Sequence, residues 1–214
     1  MKDYDTFLFD WDGTLARTVE LWVDQIYKRY GEYGIPISKA DNAREFGNLK
    51  SPLKYGLPPH KLTEFQEGVN MAMQALLPDV ALFDHATTLL QHLKSEGKQV
   101  ALITTSLRPL LDLVMCNHGV EELFDLIVTS EDVKTHKPDP EGINYAIAHL
   151  GATKSKTIML GDSGFDLQAA KNAGIDSLLF YPEPHEIMYD LAELKVHEPK
   201  YVIRTWQELL DQLQ

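Results

Sequence analysis

Two aspartates one residue apart end an apolar run in Phe7-Leu8-Phe9-Asp10-Trp11-Asp12-Gly13-Thr14-Leu15. Carboxylates are rarely buried without a partner. Two of them this close oppose each other's ionisation unless a cation lies between them. The stretch therefore reads as a buried strand that delivers Asp10 and Asp12 to a metal-assisted site. Three further segments place polar residues directly after apolar runs. Thr104-Thr105-Ser106 follows the run 99–103, and Lys137-Pro138 comes a short loop after 126–129. Gly161-Asp162-Ser163-Gly164-Phe165-Asp166 follows 157–160. Alone, each has a bland reading, since Asp-Gly and Lys-Pro are common turn chemistry. Together they need a scaffold that brings four distant segments to one place.

The hydrophobic periodicity supplies it. After the first strand, at 6–9, apolar residues Val19, Trp22, Val23, Ile26 and Tyr30 recur at helical spacing, and Gly31, Gly34 and Pro36 end that helix. A second helical stretch is expected over 62–77, stopped by Pro78, and no strand pattern lies between 16 and 80. A regular alternation follows. It has helices at 84–96 (with Asp84 as its cap), 109–118, after 140 and after 166, and strands at 99–103, 126–129, 157–160 and 177–180. The C-terminal part predicts a helix at 185–195, an edge strand at 201–203 and a last helix at 206–213 capped by Thr205. Near-continuous apolar strands alternating with helices specify an α/β fold: a Rossmann-like parallel sheet with helices on both faces. The expected division is a core of residues 1–15 and 82–214 and an inserted small α-helical cap of residues 16–81. In a parallel sheet the C-terminal strand ends share one edge, where ligands bind. That edge is where Asp10, Asp12, Thr104, Lys137 and Asp162 fall.

With these four segments present in order, the chain resembles the haloacid dehalogenase superfamily of phosphohydrolases. The core resemblance covers residues 1–15 and about 82–181, and the helical insertion is similar to the cap of phosphoglycolate phosphatases, β-phosphoglucomutases and small pyrophosphatases. The resemblance implies that Asp10 is a nucleophile forming an aspartyl phosphate, and that Asp12 is a general acid and then base. It implies Mg²⁺ held by the side chains of Asp10 and Asp162 and the backbone carbonyl of Asp12. Thr104, with the Thr105 amide and the free amides of the following helix, would bind a phosphate oxygen. Lys137 would neutralise the transferring group and hold Asp10 in line. Gly13 would let the backbone turn sharply towards the phosphate, and Thr14 either braces that turn or is a simple turn hydroxyl. Asp166 reads either as an outer-shell residue of the metal or as an ordinary first-turn acid favoured by the helix dipole. In capped relatives a Gly-containing loop meets the substrate. Here that loop is 44–50, which makes Gly47 a candidate substrate contact and Arg44 and Lys50 candidates for a second anionic group; two surface cations on a loop is the competing reading.

The expected activity is hydrolysis of a small phosphorylated metabolite: a phosphoglycolate-like compound, a sugar phosphate or pyrophosphate. Asp12 sets the chain apart from the dehalogenase and phosphonate-cleaving branches, which lack it. Trp22 stands near where the mutases carry a histidine, so a phosphomutase ranks behind a hydrolase. Many capped relatives have Asp-Ser or Asp-Thr shortly after the first motif, and Arg17-Thr18 here leaves substrate identity open. A phosphoaccepting signalling protein is the main reading from another class, because receiver domains also gather aspartates, a Thr and a Lys at strand ends. They lack an inserted helical lid. A non-catalytic binding module on the same scaffold is the third.

Composition narrows the partners. Twenty basic against 32 acidic residues give a net charge of −12, which disfavours nucleic acid and repels anions at long range, so a phosphate site needs local positive charge. No apolar run reaches membrane-spanning length. Cys116 is the one cysteine, in a helical run that predicts a buried, inert thiol; this fits a reducing cytoplasm. A monomer or a dimer is expected. The side chain of Trp11, between the two aspartates, is expected to point into the core or under the cap.

Overall fold

The computed structural model describes residues 1–46 and 48–213. The elements are β1 (Thr6–Phe9), α1 (Thr18–Glu32), α2 (Lys39–Arg44), α3 (Ser51–Lys54), α4 (Leu62–Leu76), α5 (Ala86–Ser95), β2 (Gln99–Ile103) and α6 (Arg108–His118). They continue with β3 (Leu126–Val128), α7 (Glu141–Leu150), β4 (Thr157–Gly161), α8 (Gly164–Ala173), β5 (Asp176–Phe180), α9 (Leu191–Lys195), β6 (Tyr201–Ile203) and α10 (Trp206–Leu213).

All six strands run parallel in the order β3-β2-β1-β4-β5-β6. The period-2 alternation of strand side chains divides the core into two layers. Phe7, Phe9, Val100, Leu102, Ile158, Leu160, Leu178 and Phe180 face one side, against α5, α6 and α10. Leu8, Ala101, Ile103 and Met159 face the other, against Ile143, Ala146 and Ile147 of α7 and Ala169, Ala170 and Ala173 of α8. The chain winds outwards from β1 to β3, then crosses back to β4 on the other side of β1. The winding direction therefore reverses between β1 and β4, and a crevice opens at their C-terminal ends.

Helices α1 to α4 form the insertion between β1 and β2. The chain leaves and re-enters the core side by side: Arg17 donates its amide to the Ala81 carbonyl, and Phe83 donates to the Leu15 carbonyl, both at 2.9 Å. Within the insertion, α1 packs on α4 through Tyr30, Phe65, Val69 and Met73. A smaller cluster of Val19, Ala43 and Met188, with Phe46 and Tyr189 against it, joins the insertion to the segment that follows β5.

The C-terminal helix reaches back to the first loop. Trp206 stacks on Phe180 at 4.2 Å and meets Phe9 edge-on at 5.8 Å. Its Nε1–H donates to the Thr14 carbonyl at 3.2 Å. Trp11 is buried in the same layer, and its carbonyl accepts from the amides of Leu15 and Ala16 at 3.0 Å.

Three expectations need correction. The helix expected over 185–195 is broken: a 3₁₀ turn at Glu183–Ile187 and α9 are separated by a non-helical stretch at 188–190. Helix α5 starts at Ala86, not Asp84, because His85 takes a left-handed backbone (φ 66°) in the turn that follows the buried Phe83. Cys116 is exposed, not buried. Leu111, Val114 and Met115 form the inner face of α6, and one further residue turns the chain about 100° away from it.

Candidate active site

Asp10 lies one residue beyond β1 and Asp162 one beyond β4, so the strand register brings them together. Phe9 pairs with Leu160, and the Asp10 amide donates to the Leu160 carbonyl at 2.9 Å. Lys137 arrives from the loop after β3. Its Nζ donates to Asp10 Oδ1 at 2.5 Å and to Asp166 Oδ1 at 2.6 Å. These side chains are 8%, 8% and 1% exposed for Lys137, Asp10 and Asp166, which makes a buried carboxylate–ammonium–carboxylate bridge. Asp166 is fixed a second time: Ser163, just before α8, donates its Oγ and its amide to Asp166 Oδ2 at 2.5 and 3.1 Å. Asp166 thus closes the first turn of its helix, as the first-turn reading expected, and also pins Lys137.

Asp12 points along the other side. Its Oδ2 accepts from Ser106 Oγ at 2.5 Å, and Ser106 is held in the turn after β2 by its amide, which donates to Thr104 Oγ1 at 3.0 Å. Thr14 spans the two strand ends, with its hydroxyl 3.3 Å from Asp10 Oδ2 and 3.4 Å from Asp162 Oδ1.

Gly13 allows this approach. It has φ of 76°, and a Cβ there would lie 2.5 Å from Asp162 Oδ2 and 2.7 Å from Val19 Cγ2. Replacing Gly13 by Ala should cost about 1–2 kcal/mol for the left-handed backbone alone and should also push Asp162 aside. Both the denaturation midpoint and the catalytic rate are expected to fall. A variant matching the parent in both would show that the turn is not required.

Charge is crowded here. Burial pushes the Asp10 carboxyl up to about 7, against the attraction of Lys137 and with the charges of Asp166 and Asp12 adding to it. Burial also raises Asp162 well above the usual carboxylate range, helped by Asp166 and Asp10. For Lys137, burial works downwards, but Asp10 and Asp166 outweigh it and hold the ammonium charged above its ordinary range. The donor set fits a cation. Asp10, Asp162 and Asp166 each bring an oxygen within 4.8 Å of the others, and Asp162 Oδ2 is buried without a hydrogen-bond partner. Carboxylate oxygens are the ligands that hard divalent cations take. Both oxygens of Asp166 are tightly held by Lys137 and Ser163, whereas Asp162 Oδ2 has no partner and Asp10 Oδ2 meets only the Thr14 hydroxyl at 3.3 Å, so Asp10 and Asp162 are the better-placed pair to hold the ion.

A cavity of about 580 Å³ opens over these groups between core and insertion. Asp10, Asp12, Asp162, Lys137 and Thr105 line it. Thr104 does not; it is buried, and its hydroxyl accepts from the Ser106 amide. The expected free amides of α6 are also spoken for. The Arg108 amide donates to Glu131 Oε2 at 2.9 Å, Pro109 has no N–H, and the amides of Leu110 and Leu111 both donate to the Leu107 carbonyl. Arg44 lies outside the cavity, in a separate groove with Glu186, Glu193 and Arg204, because α2 turns Asn42 and Ala43 inward. Lys50 is exposed on the residue before α3 and does not line the cavity. Gly47 lies outside the described residues.

Three neighbours had no signal in the motifs. Ser106 ends a polar run of which only the first two residues looked chemical. His185 is fully buried with Nδ1 3.3 Å from Asp162 Oδ2, and burial lowers it to about 4, keeping the ring neutral. Tyr189 lines the cavity. The last two come from the segment between β5 and α9, His185 from a 3₁₀ turn at Glu183–Ile187.

Known proteins resemble this chain along most of its length. The sequence pattern of the haloacid dehalogenase-like hydrolases matches residues 7–180. The pyrophosphatase PpaX of Halalkalibacterium halodurans is 30% identical over 219 residues, covering 98% of this chain and 96% of that protein. The protein of the same name from Bacillus velezensis is 30% identical over 213 residues, with the same coverage of 98% and 96%. Among solved structures, a haloacid dehalogenase-like hydrolase from Bacteroides fragilis superposes with a TM-score of 0.79 at 27% identity, over 96% of this chain and 99% of that one. A haloacid dehalogenase family hydrolase from Deinococcus radiodurans with bound phosphate and sodium gives 0.84 at 22% identity, over 98% and 94%; at that identity the likeness concerns the fold.

Proposed function

The chain belongs to the haloacid dehalogenase-like hydrolase family, and we propose that within it the protein is a Mg²⁺-dependent phosphatase acting on a small phosphorylated metabolite through an aspartyl phosphate. The observation that carries this reading is the buried bridge Asp10–Lys137–Asp166 beside Asp162 at the point where the sheet reverses its winding, with Asp12 one residue from Asp10. Asp10 and Asp162 would hold the ion by their side chains and Asp12 by its backbone carbonyl. The ion supplies charge compensation for the transferring phosphoryl group, as phosphoryl transfer demands.

The chain's own residues do the rest. An Asp10 oxygen attacks phosphorus; the new O–P bond forms as the bond to the leaving oxygen breaks. Asp12, steered by Ser106, gives its proton to that oxygen. In the second half Asp12 takes a proton from water as the water oxygen attacks phosphorus, which frees Asp10 and inorganic phosphate. One hard displacement becomes two easier ones. Lys137 fixes Asp10 and offsets charge that Asp12 and Asp166 would otherwise leave unbalanced. The insertion, residues 16–81, would act as the cap that covers the site and excludes water.

Two relatives named as pyrophosphatases make pyrophosphate one substrate to assay beside phosphomonoesters. The direct test is phosphate release from p-nitrophenyl phosphate. Turnover is expected with Mg²⁺, with loss on adding EDTA and recovery when Mg²⁺ is restored. Stoichiometric labelling without turnover would favour the phosphoaccepting alternative.

A further inference from the structure

Resting on the phosphatase reading above, we propose that the substrate is a phosphomonoester whose leaving group is uncharged, flat and largely apolar, rather than a second phosphate or a carboxylate. The cavity of about 580 Å³ is two chemically different spaces. Its floor holds the acids and Lys137. Its outer walls are Val19 and Phe46 from the insertion and Pro138, Phe165 and Tyr189 from the core. Its volume lies within the range in which small-molecule ligands are held.

Positive charge is confined to the floor. Among the described residues, Lys137 is the only lysine or arginine lining the cavity, and its ammonium is already shared between Asp10 and Asp166. Arg44 and Lys50, the cations nearest in sequence to the insertion loop, do not line it. His197 also lines the cavity, beside Gly164, where a Cβ would meet its Nε2 at 3.1 Å. An anionic leaving group would therefore lose water against Phe46, Phe165 and Tyr189 with no free lysine or arginine among the described residues to face it, which is costly. The net charge of −12 adds to that penalty.

An apolar ring meets the opposite situation. Phe165 is 59% exposed although it stands on the first turn of α8, one residue before Asp166. Nothing in the core explains a phenyl group held open at the mouth of an acidic site. It faces the same space as Phe46 and Tyr189, and aromatic walls gain from closing on a flat ligand. Gln168 lies at the same mouth and can hydrogen-bond a neutral polar substituent.

The test compares benzyl phosphate, phosphoglycolate and pyrophosphate with Mg²⁺, following phosphate release. Benzyl phosphate and phosphoglycolate both release an alcohol, so their contrast reads the pocket rather than the chemistry of bond cleavage. The expected kcat/KM for benzyl phosphate is about tenfold or more above that for the other two. In Phe165→Ala, whose exposed position spares the core, the preference for benzyl phosphate over phosphoglycolate should fall about fivefold, mainly through KM. A preference for phosphoglycolate or pyrophosphate overturns the proposal and leaves the phosphatase reading standing. An unchanged preference in Phe165→Ala also overturns it. Folded protein that turns over none of the three overturns the proposal, and if it also fails on p-nitrophenyl phosphate it overturns both.

Discussion

Replacing Asp10 by Asn should abolish steady-state phosphate release, lowering kcat by at least about a thousandfold with the fold retained. The amide is nearly isosteric, so the strand end keeps its shape, but a neutral amide cannot attack phosphorus. The burial that raises the Asp10 carboxyl to about 7 is relieved in the variant, so its metal-free form should be at least as stable as the parent. Loss of activity with an unchanged or higher denaturation midpoint separates a chemical role from a structural one. Activity near the parent level would remove Asp10 from the mechanism.

Replacing Lys137 by Met should cost both activity and stability. Met keeps most of the apolar length but removes the ammonium that bridges Asp10 and Asp166. Breaking a buried ion pair by deleting one partner costs roughly 3–5 kcal/mol, because the other charge is left uncompensated. The attraction of Lys137 is the main force holding Asp10 down against burial. Without it the Asp10 carboxyl rises further, and less of it is ionised at neutral pH. The rate should therefore fall about a hundredfold or more, and the acidic limb of the pH–rate profile should move to higher pH. Denaturant titration and a pH–rate series check the two halves separately. A variant with parent stability and an unmoved acidic limb would show that the bridge does not govern Asp10.

The parts of the fold legible in sequence were those with a period. Strands such as Val100–Ile103 and Ile158–Leu160 are apolar throughout because both faces are covered, and a polar residue after each run marks the shared edge. That logic located Asp10, Asp162 and Lys137 without any knowledge of contacts. What stayed hidden depended on which way a side chain turns. Arg44 looked available, but α2 packs through Asn42 and Ala43 and directs Arg44 into another groove. Cys116 sat in a helix apolar nearly all round, where no pattern chose the inner face. Thr104 was expected to meet the anion; its hydroxyl accepts from the Ser106 amide, and of the two threonines it is Thr105 that lines the cavity. His185 and Tyr189 lie in a stretch expected to be one helix, and its break into a 3₁₀ turn and α9 carries them to Asp162 and the cavity.

The central claim is a covalent phosphoryl bond to Asp10. The protein is mixed with p-nitrophenyl phosphate and Mg²⁺, quenched with borohydride during turnover, and the peptide carrying positions 10–12 is read by mass spectrometry. Borohydride reduces an acyl phosphate to an alcohol, so homoserine should replace Asp10, only when substrate is present, with Asp12 unaltered. Reduction at Asp12, or an intact Asp10 in a sample caught while turning over, would contradict the account.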